Sequence, residues 1–207
     1  MTGEPFGPGV FVPVVGPSGA GKDSLIARAR QHIGDRPGFV FARRIVTRPS
    51  DPHAEDHDTL DTASFAEAKA AGAFALAWHS HGLSYGIPVS IDKTILDGGV
   101  VVANVSRGVV AAIRQRYRNT LPVLITVSSD VLAARLATRG RETADEIASR
   151  IRRNDEYGTL DADCHVVDNS GALEHAAARF IQIIETARER DLLVRRGKGD
   201  HEAGAPA

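Results

Sequence analysis

Seven residues, Gly16-Pro17-Ser18-Gly19-Ala20-Gly21-Lys22, constrain this chain more than any others. They follow the apolar run "VFVPVV" and precede "DSLIARARQ", so they join a strand to a helix that starts at Lys22. The spacing is that of a loop closing around phosphates. Glycines let the chain curl until successive backbone N–H groups point at one anion, and the helix N-terminus adds partial positive charge. Lys22 is placed to reach the β- and γ-phosphates of a nucleotide such as ATP. An ordinary glycine-rich turn with a helix-capping lysine would share the composition, but not the full motif in this strand–helix setting.

Asp23 stands where such loops carry a serine or threonine that helps to hold Mg²⁺. A carboxylate in the first helical turn is favoured by the helix dipole. It also offers Mg²⁺ a hard oxygen, directly or through water. Ser24 does not replace it, because one step along a helix turns the side chain by roughly 100°, here toward the α-phosphate. The candidate ATP-binding set is therefore Gly16, Pro17, Ser18, Gly19, Ala20, Gly21, Lys22, Asp23 and Ser24, with Asp23 as the candidate metal ligand. A plain helix cap at Asp23 is the alternative.

Along the rest of the chain, strand-like and helix-like stretches alternate without repeats. This predicts an α/β three-layer sandwich around a mostly parallel sheet. "VVVANV" is a continuous β-branched run suited to a strand covered on both faces. Pro13 is awkward for a central strand. "FVFARRIVT" reads as one strand, with Arg43 and Arg44 exposed on it. Ser64 is a plausible N-cap for "SFAEAKAAG", and Pro88 a plausible first residue of the helix "PVSIDKTILDGG". Phe74 and Trp78 read as core. A chain of 207 residues suits one domain, here 10–189, between poorly ordered ends at 1–9 and 190–207.

Composition narrows the partners. A net charge of −1 provides no general attraction to nucleic acid or to an anionic membrane. The single cysteine, Cys164, precludes an internal disulfide and fits a reducing, cytoplasmic setting. No apolar run reaches membrane-spanning length, and the first residues lack the apolar stretch of a signal peptide. A small-molecule substrate is the remaining expectation.

"GPSGAGK", "TRP", "GLSYG" and "RLATRGRETADEI" occur in this order, and across most of its length the chain resembles the guanylate kinases. The resemblance implies a core P-loop sheet, an acceptor-binding lobe at about 40–90 and an arginine-bearing lid at about 139–153. The departures are specific. Leu76 stands where guanylate kinases place a guanine-reading glutamate, and His57 where they place a tyrosine. The stretch "VVVANVSRGVV" lacks their acidic partner for the base. A site built to hydrogen-bond a base loses strongly when those partners vanish.

"GPSGAGKDSL", "WHSHGLSYG", "NVSRG" and "DCHVVDN" are instead similar to the ribose 1,5-bisphosphate phosphokinases of phosphonate breakdown, which share the aspartate after the lysine. That resemblance implies transfer of the ATP γ-phosphoryl group to ribose 1,5-bisphosphate, giving phosphoribosyl diphosphate (PRPP), with Mg²⁺. A phosphate acceptor is already ionised, so the chemistry needs positioning and positive charge more than a general base. Arg48, Tyr85, Asn104, Ser106 and Arg107 are the candidate substrate-binding residues. Lys22, Arg139 and Arg150 are the candidate catalytic ones, since arginine forks hold phosphate oxygens in two directions. For the lid arginines a solvated face is an equal alternative, Glu146 and Arg150 having the spacing of a surface pair. A nucleoside monophosphate kinase reading its base differently and a non-catalytic binding module stay open as other functions.

Overall fold

The computed structural model describes residues 4–48, 57–139, 144–155 and 163–202. Its main sheet has six strands: β1 (Phe6–Val15), β2 (Phe39–Phe41), β7 (Val100–Asn104), β8 (Tyr117–Thr120), β9 (Val123–Thr126) and β10 (His165–Asp168). The path runs β10-β9-β1-β7-β2, β8 also pairs with β1, and every pairing is parallel. A second sheet, β4-β3-β6-β5, comprises β3 (Arg44–Val46), β4 (His57–Thr59), β5 (Phe74–Ser80) and β6 (Leu83–Pro88). It lies within the region expected to form the acceptor lobe.

Alternation along β1 explains the layers. Val10, Val12 and Val14 pack against α1 (Lys22–Ile33), α5 (Ser129–Arg139) and α7 (Leu173–Glu202). Phe11 and Val15 face the opposite side, against α3 (Ile91–Leu96), α4 (Val110–Arg116) and Leu76 and Ile87 of the second sheet. A strand buried on both faces needs the unbroken apolar run its sequence carries. The remaining helices are α2 (Thr62–Ala70) and α6 (Ala144–Asp155), and a 3-10 turn, Arg107–Val109, leads into α4.

Pro13 is accommodated at the centre of the sheet for a geometric reason. Val14 O accepts from Val105 N on the β7 side, whereas Phe11 O accepts from Leu121 N on the other flank. Alternate residues share a flank, so the missing N–H of Pro13 faces the β8/β9 side. There the pairing passes from β8 at Phe11 to β9 at Val14. The one ladder bond forgone is the one residue 13 would donate to that flank, and it falls at the break between the two strands.

Several expectations need correction. "FVFARRIVT" is two strands in two sheets, because β2 pairs with β7 while β3 pairs with β4 and β6. Phe6–Gly9 belong to β1, since β8 extends its pairing toward the N-terminus, and α7 runs to Glu202. Asp61, not Ser64, caps α2: its side chain accepts from Ser64 N at 2.9 Å, which holds its carboxyl below the ordinary range. Pro88 ends β6, and α3 begins at Ile91. The β5–β6 turn is a two-residue loop, with φ of 50° at His81 and 74° at Gly82 as such hairpins demand.

Candidate active site

The phosphate loop leaves β1 at Val15 and enters α1 at Lys22. Gly21 takes φ 88° as the N-cap of α1, and a Cβ there would lie 2.4 Å from Asn169 Nδ2. Only glycine satisfies both conditions. Asn169, just past β10 and 1% exposed, donates from Nδ2 to Ala20 O at 2.7 Å. Arg135 of α5 donates from one guanidinium nitrogen to Asn169 O at 2.8 Å, and its other terminal nitrogen is buried with no hydrogen-bond partner among the described residues. The back of the loop is thus held by α5 and β10, elements more than a hundred residues downstream. Lys22 Nζ donates to Gly16 O and Pro17 O, both at 2.8 Å, which keeps the ammonium at the loop.

Asp23 points toward the end of β7. Its Oδ1 accepts from Asn104 Nδ2 at 2.8 Å and lies 3.8 Å from an Arg44 guanidinium nitrogen. The carboxylate is only partly covered, and a hard anionic oxygen beside Lys22 in the first turn of α1 fits Mg²⁺. Ser24 is exposed on a different side of the helix.

The second sheet brings Tyr85 to the same end of β7. Tyr85 stacks on Trp78 with ring centroids 5.3 Å apart. The Trp78 indole N–H donates to Ser106 Oγ at 2.9 Å, and the Arg44 guanidinium lies over the Tyr85 ring at 5.8 Å. Asn104, Ser106 and Tyr85 therefore sit in one neighbourhood with Asp23. Arg107, half-buried, opens the 3-10 turn next to Ser106. Arg48 lies beyond β3, where its Nε donates to His57 Nε2 at 3.1 Å.

Arg44 overturns its sequence reading. It is 8% exposed, because β3 turns this side chain inward toward α1 instead of out to solvent. Trp78 packs against the core, as expected, but also orients Ser106. His79 is exposed near the end of β5 and His81 lies in the turn beyond it. Arg139 ends α5 and Arg150 falls within α6, but the side chains of both lie outside the described residues, as do Arg141 and the proposed pair of Glu146 with Arg150.

The chain is 51% identical over 185 residues to the ribose 1,5-bisphosphate phosphokinase PhnN of Chelativorans sp. (strain BNC1), covering 88% of each chain. It is 47% identical to the protein of that name from Brucella melitensis biotype 2 (strain ATCC 23457), over 84% of this chain and 90% of that one. The chain belongs to the ribose 1,5-bisphosphate phosphokinase family. No protein-family model matches it. Among solved structures, a guanylate kinase from Anaplasma phagocytophilum superposes with a TM-score of 0.60 at 17% identity, covering 87% of this chain and 86% of that one. At that identity the likeness shows the fold alone, and the fold is the α/β kinase sandwich.

Proposed function

We propose that this protein transfers the γ-phosphoryl group of ATP to the 1-phosphate of ribose 1,5-bisphosphate, giving phosphoribosyl diphosphate and ADP. The observation that carries the reading is near full-length kinship to phosphokinases of that name. The geometry supports it in three ways. A lysine-bearing loop, Gly16 to Lys22, is held open by Asn169 and Arg135. Asp23 offers a metal-binding oxygen beside it, where Mg²⁺ would neutralise charge on the phosphates. Asn104, Ser106 and Arg107 stand together at the end of β7 as anion and hydroxyl partners for a sugar phosphate, with Arg48 as a further one. On this reading Arg139 and Arg150 would close on the transferring group. A cytoplasmic setting would supply MgATP.

The positions that read guanine in guanylate kinases are occupied otherwise. Leu76 is 6% exposed and packed in the core with Ile87, and His57 is bonded to Arg48. A guanine edge left with two unpaired polar groups loses about 1–3 kcal/mol for each, which is roughly 30- to 10⁴-fold in discrimination. Phosphorus NMR of the purified protein with MgATP and either ribose 1,5-bisphosphate or GMP tests this. A new diphosphate signal with the sugar and little turnover of GMP is expected. A higher specificity constant for GMP would sink the assignment.

A further inference from the structure

We infer that Arg44 is a further acceptor-binding residue, whose guanidinium holds the acceptor phosphate nearest the phosphate loop. The inference rests on the proposed sugar-phosphate reading and adds a residue to it.

Burying a guanidinium costs several kcal/mol unless charge and hydrogen bonds compensate it, so an arginine as buried as Arg44 needs a reason. Arg44 is held from two sides. Its guanidinium faces Asp23 Oδ1 at 3.8 Å, an ion-pair distance longer than a hydrogen bond, and lies over the Tyr85 ring. Those two contacts belong to a closed circuit. Tyr85 stacks on Trp78, Trp78 donates to Ser106, and Ser106 lies two residues beyond Asn104, which donates back to Asp23. The circuit joins the first turn of α1 to β3, β5, β6 and the end of β7. Every side chain in it is pinned by another.

The donors around the circuit suit an anion. Arg44 contributes a guanidinium, Asn104 an amide and Ser106 a hydroxyl, whose oxygen accepts from Trp78 and whose O–H can donate. A phosphate dianion is the chemical class that such a wall recognises, and a planar fork sets its direction as well as its charge. Arg48 lies four residues along the chain, bonded to the buried His57. Two arginines four residues apart suit an acceptor with two phosphates. The one at Arg44, beside Asp23, is the phosphate that accepts the transferred group.

Calorimetric titration separates this role from a merely structural one. Ribose 1,5-bisphosphate without nucleotide, and a non-hydrolysable ATP analogue without acceptor, are each titrated into wild type, Arg44→Gln and Arg44→Lys, with thermal melting as the fold control. Arg44→Gln is expected to weaken sugar bisphosphate binding roughly 10- to 100-fold, the range of a lost charged hydrogen bond. Arg44→Lys should recover part of that loss, and the ATP analogue should bind within about threefold of wild type in both, well under the tenfold that 1.4 kcal/mol represents. If Arg44→Gln does not fold, a loss in Arg44→Lys confined to the sugar bisphosphate supports the inference. Unchanged sugar bisphosphate affinity overturns it, and so does an equal loss for both ligands, which would make Arg44 a partner of Asp23 only. Should wild type bind GMP and not the sugar bisphosphate, the proposed function fails. The Arg44 inference then stands or falls on whether Arg44→Gln weakens GMP.

Discussion

Lys22 and Asp23 are neighbours in the chain with different work to do. Lys22 faces the loop carbonyls and not the core, so Lys22→Ala should leave the melting temperature within a few degrees while removing stabilisation of the transferring phosphate. Turnover should fall by well over tenfold, because such stabilisation is worth several kcal/mol. Steady-state assays with saturating ATP check it, and retention of more than about a tenth of wild-type turnover would contradict the role. For Asp23→Asn, the Mg²⁺ concentration needed for half-maximal rate should rise more than the apparent ATP affinity changes. An unchanged Mg²⁺ titration would return Asp23 to helix capping. The motif made both residues legible. Arg44 was not legible, since an arginine pair in a strand reads as a solvated edge until one side chain is seen to reach Asp23.

Elements set what can move. In α6, Ile147 reaches the core, and none of the described residues is fully buried, whereas α5 sinks Leu132 and Leu136 completely. Burial of that kind separates segments that open locally from those that open only with the whole fold. Amide hydrogen exchange over α6 should therefore be fast without ligand and slow with a bisubstrate analogue, if this region closes as a lid. The buried part of α5 should change little. Equal protection of α6 in both states would leave its arginines as a static surface face. The helix itself was readable from "TADEIASRIRR". What its arginines touch depends on packing that no helical period encodes.

At the scale of the whole molecule, one polar cluster ties the sheet together at the end away from the phosphate loop. Tyr117 OH donates to Asp92 Oδ1 at 2.6 Å and Arg116 donates to Asp92 Oδ2, joining β8 to α3, while the Tyr117 ring stacks on Phe11 of β1. Burial, then the bond to Asp92, pushes the Tyr117 hydroxyl well above the ordinary tyrosine range. The sign follows from linkage: the folded state keeps a proton that the unfolded chain releases. The contribution is complete below about pH 10 and is lost as pH rises toward the higher folded value, at no more than about 1.4 kcal/mol per pH unit. Urea denaturation from pH 8 upward should show this fall in wild type and a shallower one in Tyr117→Phe. That variant should also be about 1 kcal/mol less stable at neutral pH, with its hydrogen bond gone. An identical alkaline slope in both proteins would remove Tyr117 from the account.

The sequence by itself determined the phosphate loop, the alternation of strands and helices and the parallel sheet, because each rests on local spacing. Glycine positions dictate loop curvature, and hydrophobic period dictates which face is buried. The split of "FVFARRIVT" between two sheets, the cap at Asp61 and the accommodation of Pro13 were decided by tertiary structure, since each depends on which strand or side chain arrives from elsewhere. The same holds for the site. Trp78 orients Ser106, Asn169 and Arg135 brace the loop from far downstream, and Arg44 turns inward only because β3 pairs with β4 and β6 beside α1. Those contacts span up to 149 residues of chain, and local periodicity carries no record of them.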